Sequence, residues 1–181
     1  MVARVLTALA WVLLSLSYHG HATALTSTDQ QSDTLRALIE KLEDSHYVDR
    51  RYNDAMSREH LNSYLERLDP SHLYFTARDI ADFDRLATVL DDQGRKGNVT
   101  ASFEIFNRYE AIAGARLDEV IDTMDVRVGG FDFEVDEFIA SDPTERDWAV
   151  STAELDDRWR TRKKNQVLGS RLPDKAPDAT A

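Results

Sequence analysis

The stretch TASFEIFNRYEAIAGARLDEVIDTM, residues 100–124, carries Ile105, Phe106, Tyr109, Ile112, Ala113, Leu117, Val120, Ile121 and Met124 at helical spacing. One apolar stripe therefore runs its whole length, as a long core-facing helix requires. Thr100 or Ser102 supplies the N-cap, and Gly129-Gly130 ends the pattern. Upstream, Gly94 and Gly97 bracket a basic loop, Gln93 to Val99. Before it, Thr76-Ala77-Arg78-Asp79 reads as a capping box with Asp in the usual Glu place, opening a third helix whose face is Ile80, Phe83, Leu86, Ala87 and Leu90 and which ends near Asp92. A second helix spans Ser57 to Leu68 on Leu61, Tyr64, Leu65 and Leu68, capped by Ser57 and stopped by Asp69-Pro70, since proline disfavours a helical residue before it. The first helix spans Ser32 to Ser45 on Leu35, Leu38, Ile39 and Leu42.

Downstream of the glycine pair, Phe131-Asp132-Phe133-Glu134-Val135-Asp136 alternates apolar and acidic residues with period two, without a second strand nearby to pair with it. It reads as an extended arm or isolated edge strand. Asp142-Pro143 opens a loop, and a fifth helix runs from Ser151 to about Ser170 on Ala153, Leu155, Trp159 and Val167, poorly amphipathic at Arg162-Lys163-Lys164-Asn165. The expected fold class is all-α: about five helices with an extended arm between helices four and five. Its domain covers residues 32–170, between a flexible N-terminal segment at 25–31 and a polar, disordered tail at 171–181.

Residues 1–24 stand apart. Arg4 followed by the apolar run Val5 to Leu16 and the small-x-small pattern Ala22-Thr23-Ala24 form a secretory signal, with Ala22 and Ala24 at the cleavage positions and Leu25 as the first mature residue. The run falls short of the roughly 20 apolar residues of a membrane span. The expected product is exported to the periplasm of a Gram-negative bacterium, with no membrane association after cleavage.

Composition closes several function classes. The 181 residues hold 22 Lys plus Arg against 33 Asp plus Glu, a net charge of −11, so nucleic acid and anionic lipid are repelled. The chain has no Cys, which removes disulfides, thiolate metal sites and Cys nucleophiles. Neither Gly-x-Ser-x-Gly nor Ser-x-x-Lys occurs, so no local serine-nucleophile signature is present. His46, His60 and His72 lack the spacing that places two imidazoles on one helical face, and they read as surface or helix-end histidines. The carboxylate groups Asp91-Asp92, Asp132/Glu134/Asp136 and Asp156-Asp157 read as solvated faces, and Arg95 and Lys96 spoil the first of them as a calcium loop. Tyr64, Phe83, Phe106 and Tyr109 read as core stripe. No catalytic residue, cofactor or metal site is expected.

Five ordered segments carry a resemblance: Arg51-Tyr52-Asn53-Asp54-Ala55, Leu68-Asp69-Pro70-Ser71-His72-Leu73-Tyr74-Phe75, Ile105-Phe106-Asn107-Arg108-Tyr109, Phe131 to Glu137, and Ala153-Glu154-Leu155-Asp156-Asp157-Arg158-Trp159-Arg160. Together they resemble the N-terminal helical region of the periplasmic tail-specific proteases, the carboxyl-terminal processing serine peptidases, over Leu35 to Leu168. In that family the region precedes a PDZ module and a Ser-Lys catalytic core, neither of which follows here. The resemblance thus implies a non-catalytic scaffold domain whose partners are a protease catalytic core or an adaptor lipoprotein, with protein substrates as further contacts. It assigns structural roles to Leu68, Asp69, Pro70, Tyr74, Phe75, Asn107, Arg108, Tyr109 and Trp159. Lys163 departs from the pattern, standing where the family usually has an aliphatic residue. The chain reads as a truncated or split protease component. The rival readings are a free-standing helical adaptor or decoy and, more remotely, a small carboxylate-dependent hydrolase. Leu73, Tyr74 and Phe75 are expected to be buried between helices two and three. Trp148 and Trp159 have no evident home within so lean a chain.

Overall fold

The computed structural model describes residues 24–45, 51–127, 130–139 and 146–171. Met1 to Thr23, including Ala22 of the cleavage pattern, and the tail beyond Arg171 lie outside the described residues. Six α-helices lie among the described residues: α1 Asp29–Ser45, α2 Asp54–Leu68, α3 Ala77–Phe83, α4 Leu90–Arg95, α5 Thr100–Arg127 and α6 Thr152–Arg171. A 3-10 turn, Asp84–Leu86, follows α3. Among the described residues there is no strand, only one isolated parallel bridge between Thr76 and Ala149. The all-α reading holds.

Most boundaries follow from capping. Asn53, not Ser57, caps α2: its Oδ1 accepts from Met56 N at 3.2 Å. Ser57 lies one turn inside and is fully buried, its hydroxyl donating to Asp91 Oδ1 at 3.1 Å and accepting from Asp91 N at 2.9 Å. That exchange fastens α2 to α4, and it splits the pair read as a solvated face: Asp91 is buried while Asp92 is exposed. The capping box of α3 forms as expected, with Thr76 N donating to Asp79 Oδ2 at 2.8 Å. The helix it opens does not run on to Asp92. It tightens after Phe83 and breaks before Leu90, where the β-branched pair Thr88-Val89 disfavours continued helix. Helix α4 then takes up Gln93 to Arg95, which the spacing assigns to a loop.

The core lies where α2, the 69–75 turn, α3 and α5 meet. Leu61, Leu65, Phe75, Phe83, Leu86, Ala87, Ala101 and Ile105 form one buried cluster, with Tyr109, Ile112 and Trp148 packed on its edge. Phe75 meets Phe83 edge-to-face at 5.6 Å between ring centres, an arrangement that adds to the burial of both rings. Helix α1 sits outside this cluster and leans on α4. A Cβ on Gly94 would lie 2.5 Å from Ile39 Cδ1, so the two helices approach as closely as they do because residue 94 has no side chain. Gly97 ends α4 in the left-handed region, at φ +71°, and a Cβ there would lie 2.6 Å from the Ser32 carbonyl.

The arm at residues 130–139 forms no strand. It bends, and docks on α6 through Lys164, whose ammonium donates to Val135 O at 3.0 Å and to Glu137 at 2.6 Å. The charged turn that makes α6 look poorly amphipathic is therefore a contact surface, and Lys164 is buried in it.

Gly97→Ala forces a left-handed backbone on a residue with a Cβ and drives that Cβ into backbone, which costs about 1–2 kcal/mol for the conformation alone. Hydrogen exchange should show α1 amides loosening well before those of α2 and α5, and uniform loosening of all three helices would contradict the peripheral docking of α1.

Candidate functional site

The residues the resemblance singles out converge on the turn between α2 and α3. Asp69 caps α2 and is completely buried; its Oδ1 accepts from Leu73 N at 2.9 Å, and its Oδ2 from Tyr74 N at 2.8 Å and Phe75 N at 2.9 Å. One carboxylate thus satisfies three consecutive peptide groups that helix and sheet leave unpaired. Pro70 is exposed and sets the second position of the turn, which His72 N closes by donating to Asp69 O at 3.0 Å.

His72 is not a surface residue. It is 4% exposed and lies in the left-handed region at φ 48°. Its ring stacks on Trp148 with centroids 3.7 Å apart, its Nδ1 donates to Arg146 O, and its Nε2 lies 3.0 Å from Glu66 Oε2. Nothing in the histidine spacing signals this. Its placement comes from the turn, which aims the ring at a segment more than 70 residues away.

The carbonyls of the same turn hold α6. Trp159 Nε1 donates to Leu73 O at 2.8 Å, and Arg158 Nη1 donates to His72 O at 2.9 Å while its Nη2 reaches Asp147 O at 2.9 Å and Glu154 Oε1 at 2.5 Å. Trp148 and Trp159, for which the sequence suggests no home, are thereby housed within the chain. Tyr74 joins Tyr109 and Trp159 edge-on, at 5.3 and 5.7 Å. Burial raises the Tyr109 phenol above its ordinary value, with Tyr74 and Asp69 adding to the effect.

Arg108, beside Tyr109 on α5, pairs with Asp79 and lies 5.6 Å over the Phe83 ring. Burial pushes the Asp79 carboxyl up, but hydrogen bonds from Thr76 and the Arg108 guanidinium together hold it below the usual carboxylate range. Asp91 behaves alike: burial opposes ionisation and Ser57, Arg95 and backbone N–H groups outweigh it. Arg160 and Lys164 lower Glu137 to about 2. Of the motif residues, Leu68, Asp69, Pro70, Tyr74, Phe75, Arg108, Tyr109 and Trp159 belong to this turn and its surroundings. Asn107 turns its amide elsewhere, to Leu25.

This is an architectural site. The polar groups described here face partners in the turn and in the helices packed on it. An open groove of about 550 Å³ lies between α1, α2 and α5, with Leu35, Leu38, Leu42, Leu61 and Ile105 among its lining; its one carboxylate, Glu43, accepts from Arg95 at 3.1 Å. Among the described residues, no cluster of His, Asp or Glu could hold a metal ion, and no helix is long and apolar enough to cross a membrane.

Fold and site define an all-α module built around a clamped interhelical turn. The family model for the tail-specific protease N-terminal domain matches residues 38–181, and the chain belongs to that family. It is similar to the tail-specific protease of Haemophilus influenzae, 29% identical over an alignment of 157 positions that covers 82% of this chain and 21% of the relative. The chain thus spans about a fifth of the length of the curated relative it matches.

Replacing Asp69 by Asn leaves one oxygen for three donors and sets an NH2 group against a buried N–H, so Asp69→Asn should cost about 1–3 kcal/mol. His72→Ala should cost a similar amount, well above the ~0.5 kcal/mol of a surface substitution. Chemical denaturation measures both; a neutral His72→Ala would mean that its stack on Trp148 and its two polar contacts contribute nothing.

Proposed function

We propose that this chain is a non-catalytic N-terminal helical domain of the tail-specific serine protease type, exported through a signal cleaved after Ala24 and acting in the periplasm as a scaffold for proteolysis. The observation that carries this reading is the match of residues 38–181 to that N-terminal domain, in a sequence without Ser-x-x-Lys or Gly-x-Ser-x-Gly. The domain's work is contact. Phe138 and Val150 are 96% and 80% exposed, and Leu117 and Ile121 on the distal half of α5 are also open to solvent. Large apolar groups left outward in this way mark surfaces that meet another protein, here a protease catalytic core, an adaptor lipoprotein or a protein substrate.

A second reading, a free-standing periplasmic adaptor or decoy, draws on the housing of Trp148 and Trp159 within the chain. A domain that completes its own aromatic contacts has less need of a covalently attached core. Adding a tail-specific protease core that lacks its own N-terminal region separates the two. The scaffold reading expects slower amide exchange around Phe138 and Val150, whereas protection only with the intact protease supports the adaptor.

Two outcomes test the functional assignment. The exported protein should have the intact mass of a chain beginning at Leu25, since small residues at 22 and 24 fit the signal peptidase subsites. The purified chain should leave unfolded substrates with apolar C-termini uncut. A mature species that retained the Val5 to Leu16 run would remove the periplasmic reading, and turnover abolished by a single Ser substitution would overturn the non-catalytic one.

A further inference from the structure

Asn107 makes a contact that the architecture around the 69–75 turn does not use. Its Oδ1 accepts from Leu25 N at 2.9 Å, and its Nδ2 donates to Leu25 O at 2.9 Å. A primary amide offers one acceptor and two donors in the geometry of a peptide group, so it pairs with both backbone groups of one residue as a neighbouring strand would. The residue so read lies 82 positions away in sequence, and it is the one that follows Ala24.

We propose that Asn107 is the docking site for the chain's processed N-terminus. The proposal rests on the cleavage after Ala24 advanced above. Once that bond is cut, the Leu25 nitrogen becomes an ammonium group, which still donates to Oδ1 and does so as a charged donor, while the Leu25 carbonyl keeps the bond from Nδ2. The Leu25 side chain is half exposed, so Asn107 reads the backbone and tolerates other residues at position 25.

The consequence is mechanical. From Leu25 the chain runs three residues to Thr28, whose carbonyl accepts from Gln31 N and Ser32 N and so starts α1. Helix α1 is otherwise held along α4, by Gly97 against Ser32 and by Arg95 against Glu43. The Asn107 contact adds a tie to α5 just ahead of the N-terminus of α1. It thereby fixes the wall that α1, through Leu35, Leu38 and Ile39, contributes to the apolar groove facing Ile105. Signal cleavage and closure of the helical domain are joined at one side chain.

The test uses purified chains made to begin at Leu25, so that it is independent of where export cleavage falls, which the intact mass decides. An aminopeptidase should release residue 25 roughly tenfold faster from Asn107→Leu than from the unsubstituted chain, the factor expected for losing two exposed hydrogen bonds. Leu25→Ala should be held as the unsubstituted chain is. Amides of α1 should exchange faster in Asn107→Leu by a similar factor, with those of Leu61 to Leu65 in α2 unchanged. Equal trimming of the two chains with α2 intact would overturn the proposal. If Asn107→Leu loosens α2 as well, a chain beginning at Thr28 serves instead. It should show the α1 acceleration alone, and adding Asn107→Leu to it should change α1 exchange no further; additive effects would show that Asn107 does not act through Leu25.

Discussion

The carboxylate of Asp69, accepting three successive peptide N–H groups, is the contact on which the remaining architecture depends. Burying a charged group is costly unless its oxygens are saturated by donors, and here the turn itself supplies them. No helix or strand ladder supplies acceptors for the three amides, because Leu73, Tyr74 and Phe75 lie in neither. Carboxylate and turn thus require each other. With the turn closed, Phe75 points into the α2, α3 and α5 cluster, while the carbonyls of His72 and Leu73 face outward. Those two carbonyls are what α6 grips, through Arg158 and Trp159.

Long-range order in the molecule follows from this local one. Arg158 and Trp159 are 86 residues from the carbonyls they bind, and His72 reaches 74 residues to Arg146. The segment before α6 is drawn onto the turn by the His72–Trp148 stack and by the bridge from Ala149 O to Ala77 N at 2.8 Å. Chain ends that sequence leaves unattached are thereby joined to the front of the domain. Among the described residues, Phe138 and Val150 stay turned outward, and the proposed contact role rests on them.

Helical content was legible because periodicity records burial directly: the α5 stripe runs from Ile105 through Tyr109 and Ile112, and the core is built on it. The Thr76 capping box was legible for the same reason, being a local pattern with a local cause. The partners of polar residues were not. Asp91 looks like half of an acidic surface pair, yet it is buried against Ser57 on another helix. Arg162 to Asn165 look like a break in the apolar face of α6, yet the arm folds over Lys164 there. His72 reads as a surface or helix-end histidine, yet the turn stacks it on Trp148. In each case the partner is distant in sequence, and neither spacing nor composition records which distant group will arrive. The break between α3 and α4 was missed differently, since an apolar stripe that continues across Thr88-Val89 conceals a change of helix axis.

Native-state hydrogen exchange at Leu73, Tyr74 and Phe75 tests the central role of Asp69 most directly. If its carboxylate holds the fold together, these three amides open only with the whole domain, and their exchange free energies match the global unfolding free energy from denaturation. Exchange of the three through a local opening, orders of magnitude faster than that of Leu61 and Leu65 in α2, would contradict the account.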